Sequence, residues 1–151
     1  MYIITQEPLK DCIEEMKPLL AKHYEEVAFR KDKIAFNPNY DQYLGLEDLG
    51  LIHLVSVRKE GVLVGYYLSF LTFNLHYQDH LYASNDVLYV DEAHRGGTVA
   101  YRMFKYAEKS LKEHGVSVMS VHMKLKVPFD RLCLARDMEA VETIYMKYIG
   151  D

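Results

Sequence analysis

The spacing of apolar residues changes several times along this chain, and each change marks an element. Residues 2–5 read as a short strand. From Pro8, the apolar residues Leu9, Cys12, Ile13, Met16, Leu19, Leu20, Tyr24 and Val27 recur at three- and four-residue intervals, which predicts one face of a helix. Pro18 falls inside that pattern and predicts a kink or a restart. Residues 30–33 are polar, and Asn37-Pro38-Asn39 signals a turn before a short helix over 41–49. Residues 51–58 alternate, Lys59-Glu60-Gly61 turns the chain, and 62–73 are almost wholly apolar, so an antiparallel hairpin is expected. A polar loop over 74–80 precedes a strand over 82–90. A helical pattern follows, then an alternating strand over 116–123, a short helix over 128–138 and a terminal strand over 141–149.

This order of strand, two helices, hairpin, strand, helix, strand, helix and strand implies a mixed α/β (α+β) fold. With 151 residues and no linker or repeat, a single domain over 1–151 is expected. No apolar run approaches the roughly 20 residues that span a bilayer, so no membrane partner is expected. The first residues lack a basic-then-apolar signal pattern, and Cys12 and Cys133 lack metal or disulfide-framework spacing; both features point to a reducing cytoplasm. A formal charge of -4 argues against a broad nucleic-acid surface but leaves open local phosphate contacts by Arg30, Lys31, Lys33, Lys124 and Lys126.

The chemistry concentrates in residues 85–111. An apolar strand ends at Val90, Gly96 and Gly97 break the pattern, and helical spacing begins at once with Val99, Ala100, Met103, Phe104, Ala107 and Leu111 on one face. A glycine turn feeding a helix start presents unpaired N–H groups beside the positive end of the helix dipole, which suits phosphate. Neither a dinucleotide-binding nor a nucleoside-triphosphate glycine signature is present. His76 and His80 are four residues apart but lie in a turn, so no metal site is expected.

These residues resemble the GNAT (GCN5-related) N-acyltransferase family over nearly the whole chain. The family motif runs from a strand ending in Leu-x-Val to Gln or Arg, two residues, Gly, one residue, and Gly or Ala. Here Leu88-Tyr89-Val90 precedes Arg95-Gly96-Gly97-Thr98-Val99-Ala100, with Thr98 in place of a glycine. The closing residues 141–149 resemble the family's last strand. A narrower likeness is to acetyltransferases of tailed phages or prophages, which would place the protein in a bacterial host's cytoplasm.

The resemblance implies a mixed, mostly antiparallel sheet with a splayed parallel strand pair flanked by helices. It implies an N-acetyltransferase that binds acetyl-CoA as cosubstrate and transfers the acetyl group to a primary amine by direct attack in a ternary complex. Leu88, Tyr89 and Val90 would pair with the pantetheine arm, and the N–H groups of Arg95, Gly96, Gly97, Thr98, Val99 and Ala100 would hold the pyrophosphate. Asp86 is the base candidate, with a plain strand-start residue as its alternative. His122 is a second acceptor candidate or simply a strand-end polar residue. Cys133 falls where the family often carries an acidic tyrosine; it reads equally as a buried apolar residue, and Leu132 or Leu134 could hold that place. Tyr145 or water is then the acid. The acceptor pocket draws on Tyr40, Tyr43, His76, Tyr77 and Asp79, a set suited to a cationic amine. Two alternatives stand beside this reading: a phage-associated protein acting on or binding nucleic acid, and an inactive CoA-binding or interaction module. A homodimer is left open.

Overall fold

The computed structural model describes all residues, Met1–Asp151. Five strands form one sheet in the order β1 (Tyr2–Gln6), β2 (Ile52–Lys59), β3 (Val62–Asn74), β4 (Tyr77–Val90) and β5 (Val116–Ser120). Neighbours are antiparallel except β4 and β5, which run parallel. Four helices, α1 (Leu9–Val27), α2 (Tyr40–Asp48), α3 (Val99–Glu113) and α4 (Asp130–Leu134), cover the sheet. This is the mixed, mostly antiparallel sheet with one parallel pair that the resemblance implies.

Both faces of the sheet are buried, which explains why β3 reads as a nearly continuous apolar run. On one face Leu9, Cys12, Ile13, Met16 and Leu19 of α1 pack against Leu54, Tyr66, Leu68 and Tyr89. On the other, Val99, Met103, Phe104 and Ala107 of α3 pack against Val55, Val57, Tyr67 and Val90. Strands β3 and β4 approach closely at Gly65, opposite Val90, where a Cβ would lie 2.9 Å from the Tyr89 carbonyl oxygen.

The α1 helix runs through Pro18 without a break. Pro18 lies on the solvent side, so the carbonyl that loses its helical donor is hydrated rather than stranded in the core. Pro8 gives α1 no side-chain cap; the Glu47 carboxylate of α2 accepts from the N–H groups of Leu9 and Lys10 instead. This bond sets α2 against the start of α1.

Three expectations change. Residues 141–149 form no strand; Val141 is 82% exposed and Tyr145 92%. Alternation specifies a strand only where a neighbouring edge supplies hydrogen-bond partners, and no backbone hydrogen bond holds residues 139–151. The polar loop over 74–80 shrinks to a tight connection at Leu75-His76, because Asn74 already pairs with Tyr77. That end of the hairpin is exposed, so polar side chains there leave the backbone ladder intact. The helix expected over 128–138 is also confined to Asp130–Leu134. No helix is long and apolar enough to cross a membrane.

A buried imidazole ties the sheet to α3. His53 is 1% exposed, its Nε2 lies 2.8 Å from Ser110 Oγ, and its ring stands edge-on to His114 at 5.1 Å. Burial, reinforced by His114, pushes His53 down to about 4. The unfolded chain therefore binds the extra proton between about pH 6.5 and 4, and stability must fall as pH falls through that window. We expect urea midpoints to drop between pH 7 and 5. In His53→Gln, which does not titrate, the accompanying loss of unfolding free energy should be smaller by on the order of 1 kcal/mol per pH unit. Equal losses in both proteins would remove His53 from the acid response.

Candidate functional site: a cleft where two parallel strands part

The cleft arises from two irregularities in β4. Its parallel pairing with β5 runs only from Leu81 opposite Val116 to Ser84 opposite Ser120. Beyond that point the Asn85 side chain replaces the ladder, accepting from the His122 N–H at 2.6 Å. On the opposite side, the register with β3 shifts: Leu68 faces Val87 but Ser69 faces Asn85, so Asp86 is an extra residue in a β-bulge. The bulge turns Asp86 toward α2, where the Tyr43 hydroxyl donates to its carboxylate.

Farther along, the Asp91 N–H donates to Val64 O of β3 at 2.8 Å. Strand geometry then directs the polar groups of Tyr89 toward β3 and those of Leu88 and Val90 toward the open side. A cleft of about 430 Å³ occupies that side. Residues 85–90 form its floor, the second half of α1 and Phe36 one wall, and the start of α3 with His122, Phe129 and Leu132 the other.

At the mouth, the first turn of α3 leaves its donors free. The first helical bond is Arg102 N–H to Thr98 O at 2.9 Å, and no intramolecular acceptor engages the N–H groups of residues 96–101. Gly96 has φ +89°, which opens the turn, and a Cβ on Gly96 or Gly97 would meet nothing within 4 Å. Thr98 occupies the N-cap position, yet its hydroxyl makes no capping bond. The side chain of Arg95 reaches inward instead. It donates from Nε to Val90 O at 2.7 Å, pairs with Glu26 of α1 at 2.8 Å and lies over the Tyr89 ring.

Among the expected site residues, the cleft brings together Asp86, Leu88, Tyr89, Val90, Arg95, Ala100 and His122. Gly96, Gly97 and Thr98 are exposed at its mouth, and Val99 is buried in the core beneath. Tyr43 joins through Asp86, whereas Tyr40 packs against the α1 core outside the lining. Other expected residues lie outside the cleft. Cys133 and its neighbour Leu132 both pack against the core on the α3 face, and only Leu132 also lines the cleft, because adjacent helical residues point about 100° apart. Burial, with Asp130 nearby, raises the Cys133 thiol above its ordinary value and keeps it protonated, but it is not among the residues that line the cleft. Tyr145 stands in the exposed closing segment. His76, Tyr77 and Asp79 sit at the far end of β4, where seven residues of strand set Asp79 about 24 Å from Asp86.

The residues that sequence reasoning passed over are His23 and Glu26. Both continue the buried face of α1 one turn beyond Leu19 and Leu20, a signal that was present but reads as core. His23 stacks on Tyr89 at 5.1 Å, and its Nδ1 lies 3.4 Å from the Tyr66 hydroxyl. Burial pushes it down to about 4, so it is neutral at pH 7. Burial also raises the Asp86 carboxyl above its ordinary value, against the lowering effect of the Tyr43 hydrogen bond.

Comparison with known proteins fits this geometry. No curated protein matches the chain in sequence. Among solved structures, a ribosomal-protein-alanine N-acetyltransferase from Brucella melitensis biovar Abortus 2308 is 21% identical, with TM-score 0.72 over 99% of this chain and 100% of that one. A glucosamine-6-phosphate N-acetyltransferase from Arabidopsis thaliana is 10% identical, with TM-score 0.72 over 99% of each chain. A predicted acetyltransferase from Clostridium acetobutylicum, solved with acetyl-CoA, is 10% identical, with TM-score 0.72 over 99% of this chain and 97% of that one. These likenesses concern the fold, and they add nothing to the narrower phage resemblance. The family described as Acetyltransferase (GNAT) matches residues 13–126, most of the chain, and the protein belongs to that family.

Proposed function

We propose that this protein transfers an acetyl group from acetyl-CoA to a primary amine by direct attack within a ternary complex. The observation that carries the proposal is the run of free N–H groups over residues 96–101, opening onto a cleft whose floor presents the Leu88 backbone and the Val90 N–H, the Val90 carbonyl being held by Arg95. Pyrophosphate would accept from the first and the pantetheine amides would pair with the second, as an added strand does. The apolar walls of Met103, Phe104, Phe129 and Leu132 suit the arm between them.

The reaction needs a free amine, a stabilised oxyanion and a departing thiolate. Asp86 accepts the amine proton directly or through one water; its raised pKa brings it closer to the range where a base works near neutrality. His122 lines the opposite wall and is a second acceptor for that proton. The amine nitrogen bonds to the thioester carbonyl, the C–S bond breaks, and the thiolate takes a proton from water. With Cys133 and Tyr145 outside the cleft, positioning carries more of the rate. On the acceptor side, Tyr24, Phe36 and Glu26 offer aromatic faces and a carboxylate to a cationic amine.

Calorimetry with acetyl-CoA should show micromolar binding, and a thiol-release screen over amines should find turnover. Absence of acyl-CoA binding would overturn the proposal, and binding without turnover on any amine would favour an interaction module. Charge reversal in Arg95→Glu should weaken acetyl-CoA binding about tenfold; unchanged affinity would remove Arg95 from the phosphate end. Asp86→Asn should lower kcat by about 10²-fold or more with KM little changed, and should flatten the acid limb of kcat/KM. That limb exists because the carboxylate is lost as pH falls through its raised pKa. An unchanged rate across pH would reject Asp86 as the base.

A further inference from the structure

Resting on the reading of Asp86 as the base, we propose that Tyr43 is the positioning residue that aims the Asp86 carboxylate and holds it ionised. It acts through one hydroxyl donated from α2 across to the bulge in β4. Asp86 is the extra residue of that bulge, so the strand's own pairing does not fix its side chain. The one side-chain hydrogen bond to its carboxylate comes from Tyr43. Tyr43 is itself fixed: its ring stacks on Phe70 of β3 at 6.0 Å and packs against the α1 core. The helix that carries it is capped by Asn39, whose side chain accepts from the Gln42 N–H at 3.0 Å, and is held to α1 through Glu47. Rigid α2 geometry thus reaches one carboxylate oxygen and leaves the other for the amine.

The charges around Asp86 give no substitute. Tyr66 of β3 is a neutral phenol, His23 of α1 is neutral at pH 7, and Glu26 of α1 is a like charge engaged by Arg95. From the chain after β5, His122 and Lys124 line the far wall without bonding the carboxylate. Burial favours protonation of Asp86, and the Tyr43 hydroxyl is the identified opposing influence. Tyr43 keeps its own proton throughout, because burial and Asp86 raise its pKa above the ordinary phenol value.

Tyr43→Phe removes the hydroxyl and keeps the ring against Phe70. In a ¹³C NMR titration of carboxyl-labelled aspartates, with the Asp86 signal assigned from Asp86→Asn, the apparent pKa of Asp86 should rise by about one unit or more in Tyr43→Phe. Tyr43→Leu, read in the same titration, gives a second chain without the donor. The acid limb of kcat/KM should move up by the same amount, with activity largely recovered at alkaline pH and acetyl-CoA affinity unchanged. An unmoved Asp86 titration in both variants would overturn the proposal, as would an equal loss of rate at every pH. Because the titration needs no turnover, it tests Tyr43 even if the acetyl-transfer reading fails. A limb that vanishes in Asp86→Asn but stays put in Tyr43→Phe would sink the Tyr43 role alone.

Discussion

A buried strand edge cannot be left bare, because each unsatisfied N–H or C=O costs about 1–3 kcal/mol. In this protein β4 carries two edges, and β5 covers one of them for only a few residues. The groups of Leu88 and Val90 beyond that point must meet water, a side chain or a ligand. Arg95 takes one of them, the Val90 carbonyl. The rest of the cleft follows from this gap: Asn85 closes its inner end, α1 and α3 wall it from opposite faces of the sheet, and α3 begins at its mouth.

The two cores hold the gap open. α1 and α2 pack on one face through Leu9, Met16, Tyr66 and Tyr89, while α3 and α4 pack on the other through Met103, Phe104 and Tyr67. Neither group of helices can slide into the gap without exposing its own apolar face. The cleft is therefore where two separately stabilised layers meet, and polar groups from both reach it. Glu26 arrives from one layer and Arg95 from the other, and their ion pair spans the space between. Because both side chains are partly exposed, that pair is a weak clamp rather than a strut.

The bulge at Asp86 links fold and chemistry. A regular strand would place Asp86 and Val87 on opposite faces. The extra residue puts Asp86 beside Tyr43 while Val87 still packs against the α1 core. A carboxylate in that position is half-buried, oriented and next to the open edge, three properties that no local sequence preference supplies.

Element order, the helix faces and the glycine turn before α3 follow from short-range periodicity and backbone sterics, both of which are written along the chain. Leu9 to Leu19 and Val99 to Leu111 were legible for that reason, and so was the run of residues 95–100 as a glycine turn feeding a helix start. Which chemical groups share the cleft depends on packing between elements distant in the chain. Asp79 and Asp86 look equivalent along the chain, yet one stands at the far tip of a hairpin. Cys133 and Leu132 are neighbours in sequence and both touch the core, but one turn angle lets only Leu132 reach the cleft as well. His23 and Glu26 read as ordinary helix residues until α1 is laid across the sheet. The closing residues 141–149 have a strand's alternation and no strand, since a strand is a property of two edges and sequence describes only one of them.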